Sequence, residues 1–411
     1  MHETARRPDD AASARAAASP ARTPGAGAPD VVFTFSYVSW QAAAQRGWFM
    51  PEDRLAKALV EHERVGRVLV CDVMRSLPTK LARELLRRER APFPADARTH
   101  LLGPVRLRRS NPVSLRGCER TCAAYERAVH RAVRRMGMED PVVITAHPLL
   151  AGLAQFAWAR AVTFYATDDW SAFPPHERWW PVYRESYARV ARTGRRVAAV
   201  SAAVLERIAP TGPGAVVPNG LEPAEWLGEP RPPAWVQGLP RPLLVYVGTL
   251  DARLDVDGVL AIARAQPTAT VLLVGPLLAP AHLEPLRAQP NVEIRPPLAR
   301  AAVTGLIRSA DLGLIPHVHT PLTRAMSPLK LYEYLAGGLP VLAADLQPVR
   351  GVEPARVTLV PEGGDYGALV TQALARGPAP EEERLAFLER NSWRARYEQL
   401  LDLALRPPRG R

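Results

Sequence analysis

One segment predicts both the fold and the site: Ser327-Pro328-Leu329-Lys330-Leu331-Tyr332-Glu333-Tyr334-Leu335-Ala336-Gly337-Gly338-Leu339-Pro340-Val341. Ser327 is predicted to be the N-cap of a helix, with Pro328 at its first position, where a missing N–H costs nothing. A helix start offers free N–H groups and a positive dipole end, which bind phosphate. Lys330 adds a full charge, and Glu333 on the same face can accept hydrogen bonds from two vicinal hydroxyls. The segment therefore predicts a nucleoside-diphosphate site.

The lysine in this segment is unusual for the chain. Only three of the 53 basic residues are lysines, so a compact ammonium has been kept here in a chain that otherwise uses arginine. The alternative is an ordinary amphipathic helix that buries its leucines and exposes a solvated Lys–Glu pair. The alternating strands and helices predicted around the segment favour the nucleotide site.

The length of 411 residues predicts two or three domains. The composition, with 47% hydrophobic and 23% charged residues, is that of a soluble globular protein. No apolar run is long enough to predict a transmembrane helix. Residues 1–29 are rich in Ala, Pro and Arg and lack an apolar stretch, which predicts a disordered leader and not a signal peptide. The odd cysteine count predicts reduced, buried thiols in the cytoplasm, at Cys71, Cys118 and Cys122.

The formal charge of +12 raises the question of nucleic-acid binding. The arginines are spread along the chain and no nucleic-acid-binding motif is present, so no nucleic-acid partner is expected. Diffuse positive charge is better suited to a polyanionic binding partner or to an anionic membrane surface, at which the protein would be peripheral.

The C-terminal half alternates between apolar strands and helices, as in Leu243–Val247, Thr270–Val274 and Leu312–Ile315. This alternation predicts a parallel sheet covered on both faces. Ligands bind beyond the carboxyl ends of such strands, where Gly248 and the loop before Ser327 lie. Several loops are therefore expected to meet at one crevice.

The N-terminal half repeats the pattern less regularly, which predicts an α/β protein with two Rossmann-like, doubly wound domains facing a central cleft. The predicted boundaries are a leader at 1–29, an N-terminal domain at 30–220, a Pro-rich linker at 221–240, a C-terminal nucleotide-binding domain at 241–376 and a C-terminal helix and tail at 377–411. A single helix, Glu381–Leu405, is expected to cross back onto the first domain.

Three ordered motifs resemble those of retaining GT-B glycosyltransferases of the family 4 type, in particular the teichuronic-acid-biosynthesis-like branch. They are Tyr246-Val247-Gly248-Thr249-Leu250, Val217-Pro218-Asn219-Gly220 and the segment from Pro328 to Val341. The resemblance covers about residues 195–375 and implies the GT-B fold. It also implies transfer of a sugar from a nucleotide-diphosphate sugar with retention of configuration.

The resemblance implies a role for most of the donor site. Glu333 would hold the donor ribose, and Lys330 and Arg253 would face the diphosphate, whose negative charge grows as it leaves. The implied donor-binding residues are Gly248, Thr249, Arg253, Ser327, Pro328, Lys330, Leu331 and Glu333. No Asp-x-Asp follows a strand at the crevice, so no cofactor and no obligatory metal are expected. The spacing of His317 and His319 would suit a metal, but a polar rim of the crevice is the favoured interpretation.

The sequence departs from the family pattern in two places. Ala325 stands where a second glutamate commonly contacts the transferred sugar, and the strand before Thr167 lacks the histidine that many members carry. His147 is the nearest histidine, either catalytic or a helix-cap imidazole. Asp168 and Asp169 are candidates to bind or deprotonate an acceptor hydroxyl, with a solvated turn as the alternative.

Aromatic residues crowd the region after the first strand. Rings stack on sugar faces and on lipid, so Tyr37, Trp40 and Trp48 are the acceptor-side candidates, with a packed surface loop as the alternative. The leading hypothesis is a glycosyltransferase acting on a polysaccharide, glycolipid or other hydroxyl acceptor. The alternatives are a GT-B-fold sugar-nucleotide 2-epimerase and a degenerate, non-catalytic binding partner.

Overall fold

The computed structural model describes residues 27–78, 92–107 and 110–407. Residues 1–26, which make up most of the predicted leader, lie outside this range. Within the described residues the chain forms a seven-stranded sheet, a six-stranded sheet and a two-stranded ribbon. All strand pairs in the three are parallel. The two predicted doubly wound sheets are confirmed.

The first sheet has the strand order β4-β2-β1-β6-β7-β8-β9. Its strands are β1 (Val31–Thr34), β2 (Val68–Cys71), β4 (Thr99–Leu102), β6 (Val142–Thr145), β7 (Ala161–Ala166), β8 (Arg196–Ala199) and β9 (Gly214–Val216), and the ribbon pairs β3 (Arg75–Ser76) with β5 (Val105–Arg106). Strands β2 and β4 are added at one edge of β1, and strands β6 to β9 are added at its other edge. The topological switch point therefore lies between β1 and β6.

Helices cover both faces of the first sheet because both faces are apolar. Val31 and Phe33 of β1 pack in one core cluster, whereas Val32 packs in the other. This burial on two faces explains the continuous apolar runs in the sequence. The helices are α1 (Trp40–Gln45), α2 (Pro51–Glu61), α3 (Leu115–Arg135), α4 (Pro148–Leu153), α5 (Trp180–Arg192) and α6 (Ala202–Ile208).

The second sheet has the order β12-β11-β10-β13-β14-β15, which places its switch point between β10 and β13. Its strands are β10 (Leu243–Val247), β11 (Thr270–Val274), β12 (Val292–Arg295), β13 (Leu312–Ile315), β14 (Val341–Ala344) and β15 (Val357–Val360). Its helices are α7 (Val256–Ala265), α8 (Glu284–Arg287), α9 (Arg300–Ser309), α10 (Pro321–Ala325), α11 (Leu329–Ala336) and α12 (Tyr366–Ala375).

The C-terminal region corrects one prediction and confirms another. The expected single helix is two helices, α13 (Glu381–Arg390) and α14 (Trp393–Ala404), because Ser392 leaves the helix and caps α14 through Ala395 N–H. The return to the first sheet is confirmed, since Trp393 and the leucines of α14 pack in a core cluster of that sheet. The predicted domain boundaries stay a prediction.

The predicted linker is not featureless. It contains two short 3-10 turns, Pro223–Trp226 and Ala234–Gly238, and Trp226 is fully buried in the core of the second sheet. The three cysteines are buried and unpaired, as expected. Among the described residues, no helix combines the length and the apolar character needed to cross a bilayer.

Candidate functional site

Loops from both sheets enclose a cleft of about 530 Å³. The predicted site residues that line it are Asp168, Gly248, Thr249, Arg253, Ser327, Pro328, Lys330 and Glu333. The other predicted residues do not line it. The side chain of Leu331 is fully buried in the core of the second sheet instead.

Helix α11 begins one residue later than predicted. Pro328 has extended backbone angles and occupies the N-cap position, and no side chain caps the helix. Ser327 is instead hydrogen-bonded to Asn219, in the segment that follows β9. Asn219 Nδ2 donates to Ser327 O at 2.7 Å, and Asn219 N–H donates to Ser327 Oγ at 3.4 Å. Because no side chain caps the helix start, its N–H groups suit an anion.

Two glycines allow the strand ends to approach this helix closely. Gly248 and Gly275 directly follow β10 and β11 with φ angles of 147° and 154°, which side-chain-bearing residues rarely adopt. A Cβ on Gly248 would lie 3.1 Å from Lys330 Nζ, and one on Gly275 would overlap the carbonyl oxygen of Gly248. Gly275 was not predicted, although its position after an apolar strand matches that of Gly248.

Lys330 lies against the second sheet's switch point. Its Nζ is 3.2 Å from His317 Nε2 and 3.9 Å from the centre of the Tyr246 ring. Burial and the charge of Arg253 lower the pKa of Lys330 to about 7. Burial and the charges of Lys330 and Arg253 also hold the pKa of His317 well below its usual range, so its neutral ring accepts the Lys330 hydrogen bond.

Arg253 is held beside Lys330 by a forked ion pair with Asp251. Arg253 Nε and Nη2 lie 3.0 Å and 2.8 Å from the two carboxylate oxygens. Burial by itself would raise the pKa of Asp251, but the hydrogen bonds from Arg253 lower it. Two cations and a helix start therefore face the same part of the cleft, which suits a diphosphate.

Glu333 is paired with an arginine that the sequence did not single out. Glu333 Oε1 accepts a hydrogen bond from Arg300, which also donates to Glu225 Oε2 at 2.7 Å. Burial raises the pKa of Glu333, and Arg300 opposes that shift. Glu225 in turn lies 3.4 Å from Arg54 on α2. No sequence signal identified Arg300, because its partners are distant in the chain.

The first sheet contributes Asp168 to the cleft. Its Oδ1 accepts from Asp169 N–H at 2.8 Å, and burial raises the pKa of its carboxyl group to about 6. Asp169 is different, because its Oδ1 accepts from the N–H and hydroxyl of Ser171 and its side chain is fully buried. The structure therefore brings Asp168, but not Asp169, to the cleft.

Tyr37 and His147 line a second cavity of the first sheet and not the cleft. His147 is the N-cap of α4, and its Nδ1 accepts from Leu149 N–H at 3.2 Å. Burial lowers its pKa to about 3, so the ring is neutral. The helix-cap interpretation of His147 thus describes the observed geometry.

The two predicted acceptor-side tryptophans are also away from the cleft. Trp40 is 4% exposed and packs edge-on against Trp48 and Phe93 at 4.6 Å and 4.7 Å between ring centres. The neighbouring Phe49 and Met50, which are 46% and 41% exposed, line the cleft instead. This aromatic segment therefore reaches the cleft through Phe49 and Met50, whereas Trp40 and Trp48 do not line it.

Ala325, which stands where the resemblance predicts a glutamate, is part of the protein core. Ala325 is 4% exposed and packs in a core cluster of the first sheet, and its carbonyl accepts from Ser201 Oγ. The same residue also lines an open surface pocket together with Arg207 and Arg324.

The two histidines of the His317-Val318-His319 sequence diverge. His317 lines the cleft as part of its polar rim, whereas His319 lies 3.8 Å from Glu362, which does not line it. No group of three or more His, Cys, Asp or Glu side chains in the described ranges is placed to hold a metal ion.

No protein-family model matches the chain. The sequence is 26% identical over 194 residues to TuaH of Bacillus subtilis (strain 168), which carries the name teichuronic acid biosynthesis glycosyltransferase. That match covers 45% of this chain and 49% of TuaH, so it spans about half of the relative.

Solved structures resemble the whole described architecture at low sequence identity. Sucrose-phosphate synthase from Thermosynechococcus elongatus has a TM-score of 0.63 at 16% identity, covering 91% of this chain and 98% of its own. The α,α-trehalose 6-phosphate synthase from Burkholderia multivorans has a TM-score of 0.65 at 13% identity, with coverages of 92% and 98%. HepE from Anabaena in complex with UDP has a TM-score of 0.62 at 15% identity, with coverages of 91% and 98%.

Proposed function

We propose that this chain, which has the GT-B fold, is a glycosyltransferase that moves a sugar from a nucleoside-diphosphate sugar to a hydroxyl acceptor. The observation that carries the proposal is the joint placement of Lys330, Arg253 and the start of α11 at one end of the cleft, with Glu333 one turn further along the helix. Cations and N–H dipoles suit a diphosphate, and a carboxylate suits a ribose diol. The UDP complex of HepE and the name of TuaH support the same assignment.

In the proposed reaction the bond between the sugar C1 and the diphosphate oxygen breaks, and a bond from C1 to the acceptor oxygen forms. Lys330 and Arg253 stabilise the charge that gathers on the departing diphosphate. Asp168, on the first-sheet side of the cleft, takes the acceptor proton, since its pKa of about 6 leaves it ionised at neutral pH. Retention of configuration requires the acceptor oxygen to bond to C1 on the same face that the diphosphate leaves. Retention and independence from a metal are parts of this proposal that rest on the family resemblance.

The acceptor is proposed to be a glycan, a polysaccharide or a lipid-linked precursor that lies on the side of the first sheet. Phe49, Met50 and Phe173 line that side of the cleft and can contact a sugar face. Reversible docking on an anionic membrane and a cytoplasmic location stay predictions. The buried Trp40 is not available for such docking.

The test is to incubate the protein with a panel of nucleotide sugars without an acceptor. Slow release of free sugar, at a rate proportional to enzyme concentration, is the result expected of a transferase. An isomerised sugar nucleotide would instead identify a 2-epimerase. Binding of the nucleotide sugar without any turnover would identify a non-catalytic binding protein, and either result would overturn the proposal.

The affinity for a nucleoside diphosphate is expected to fall as the pH rises from 7 to 9. The side chain of Lys330 is influenced by the Arg253 cation and by the carboxylates of Asp251 and Glu333, and its pKa is about 7. A bound diphosphate raises that pKa, so binding takes up a proton and weakens by up to about tenfold per pH unit above pH 7. Titration calorimetry with UDP at pH 7, 8 and 9 measures the slope. Lys330→Met should bind UDP more weakly with little slope, and an equal slope in both proteins would refute the assignment.

A further inference from the structure

Lys330 is a flexible side chain in a role that requires a fixed charge. A lysine carries its ammonium group on a four-carbon stem with many rotamers, whereas an arginine presents a rigid planar fork. A charge that stabilises a departing diphosphate is most effective when it is in place before the sugar bond breaks. The proposed reaction therefore requires contacts that hold the Lys330 ammonium group in one position.

Carboxylates do not supply these contacts. The negative charges of Asp251 and Glu333 act on Lys330 through space, but each of these carboxylates is paired with an arginine. Asp251 forms its forked ion pair with Arg253, and Glu333 accepts a hydrogen bond from Arg300. The position of the Lys330 nitrogen is therefore set by other groups.

Three uncharged groups surround the Lys330 ammonium group. His317 Nε2 lies 3.2 Å from Nζ, and the centre of the Tyr246 ring lies 3.9 Å from it. On a third side is the backbone of Gly248, where a Cβ would lie 3.1 Å from Nζ and 3.2 Å from Cε. The ring face attracts a cation without directing its N–H bonds, and the glycine only limits the space. His317 is the group among these three that accepts a directed hydrogen bond.

The segment that carries His317 contacts both cations of the proposed diphosphate site. His317 is 2% exposed, and its Nε2 also lies 3.3 Å from the Tyr246 hydroxyl. The next residue, Val318, donates its N–H to Arg253 O at 2.9 Å. One short segment therefore holds Lys330 through a ring and the backbone of Arg253 through a peptide group, which links the positions of the two cations.

The second ring nitrogen of His317 shows that this side chain does not serve stability. Because Nε2 accepts from Lys330, the proton of the neutral ring is on Nδ1. Nδ1 is buried and has no hydrogen-bond partner among the described residues. An unpaired buried donor lowers the free energy of unfolding, which an apolar side chain at this position would not do. The hydrogen bond at Nε2 is therefore the contact that this histidine supplies.

We infer that His317 is a positioning residue for the proposed reaction, because its ring holds the Lys330 ammonium group where the departing diphosphate gathers charge. The inference rests on the proposed glycosyltransferase function and adds a residue to it. Burial and the charges of Lys330 and Arg253 keep the pKa of His317 well below its usual range, so the ring acts as a neutral acceptor.

The first measurement is NMR of the full-length protein labelled with ¹³C-lysine. The chain contains only three lysines, so the Cε signal of Lys330 is identified by its loss in Lys330→Met. Its midpoint is followed from pH 6 to pH 9. A hydrogen bond to His317 favours the charged amine, so the midpoint should fall by about one pH unit in His317→Leu. His317→Gln places an amide oxygen near the position of Nε2 and should restore the midpoint.

The other ionisable groups that face Lys330 are unchanged in these variants, and they are Arg253, Asp251, Glu333 and Tyr246. A difference in midpoint between the variants therefore reports the contact with His317.

The second measurement combines steady-state kinetics on the preferred nucleotide sugar with the calorimetric Kd for UDP. Both are made at pH 6, where a lowered midpoint changes the charge of Lys330 least. His317→Leu should lower kcat by about tenfold or more and weaken UDP binding by less than about threefold, since a displaced charge matters most as the diphosphate departs. His317→Gln should recover most of the kcat.

His319→Leu is the matched control, because His319 lies two residues further along the chain and does not line the cleft. It should leave the midpoint, kcat and Kd at wild-type values. If His317→Leu does not fold, His317→Asn replaces it, since the shorter amide does not reach the position of Nε2.

The outcomes separate the inference from the function on which it rests. If His317→Leu keeps the wild-type kcat, with or without a change in midpoint or Tm, the positioning role is overturned and the proposed function stands. Equal losses of kcat in the leucine and glutamine variants would also overturn it. If the wild-type protein turns over no nucleotide sugar, the proposed function is wrong and the role of His317 falls with it.

Discussion

Replacing Lys330 with methionine is expected to lower kcat by about 10²–10³-fold while weakening donor binding much less. Methionine is unbranched like lysine and one heavy atom shorter, and it removes the charge. Negative charge gathers on the diphosphate only as the sugar bond breaks, so the lost interaction belongs mainly to the transition state. Steady-state kinetics with the preferred nucleotide sugar, together with calorimetric Kd values, measure the two effects separately.

The matched control is Lys57→Met, because Lys57 is an exposed lysine on α2 whose Nζ lies 6.0 Å from the Trp48 ring and not in the cleft. It should leave kcat and donor affinity unchanged. The fold of the Lys330 variant is checked by its Tm. The folded-state pKa of Lys330 lies below its unfolded value, so its charge opposes folding most at pH values below 7. Lys330→Met should therefore be at least as stable as wild type at pH 6. If the kcat of this variant equals that of the wild type, Lys330 has no part in the mechanism.

Replacing Glu333 with glutamine is expected to weaken donor binding by about 10- to 150-fold. A carboxylate that accepts both hydroxyls of a ribose makes charge-assisted bonds, and losing one costs roughly 1.5–3 kcal/mol. Arg300 keeps its second partner, Glu225, in this variant. Calorimetry with UDP and with the full nucleotide sugar measures the loss, and thermal unfolding reports the fold.

Glu225→Gln is the matched control for this variant. It removes the other carboxylate of Arg300, at 2.7 Å, but Glu225 does not line the cleft. The control should therefore keep its donor affinity even if its Tm falls. Equal losses of affinity in both variants would show that Glu333 acts only within the ion-pair network. The ribose assignment would then be wrong.

The structure also changes how Glu333 is understood. In the sequence it is a carboxylate on one face of a helix, whereas in the fold it is the end of a chain of charges through Arg300 and Glu225 to Arg54. Arg54 belongs to α2 beside the first sheet, and Arg300 starts α9 beside the second. A ribose diol would share Glu333 with Arg300, whose other partner, Glu225, contacts Arg54 beside the first sheet.

Local sequence was sufficient for the elements whose residues are neighbours in the chain. The apolar runs predicted most strands of both sheets, since a strand buried on both faces needs such a run. The helix after Pro328 and the charges of Lys330 and Glu333 were likewise readable, because their spacing on one helix fixes their mutual geometry. The glycine after β10 was readable from its place at the end of an apolar run. The strand β4 was missed because two of its four residues are exposed at the sheet edge.

The tertiary structure alone decided which side chains reach the cleft. Asp168 faces it, whereas adjacent Asp169 turns inward to Ser171, and Phe49 is exposed while Trp40 is buried. The pairing of Arg300 and the burial of Ala325 depend on segments that are distant in the chain. The physical reason is that loop side chains are directed by the packing of distant elements. The sequence therefore determined the fold and the helix that carries Lys330 and Glu333, and only the assembled sheets determined the other side of the cleft.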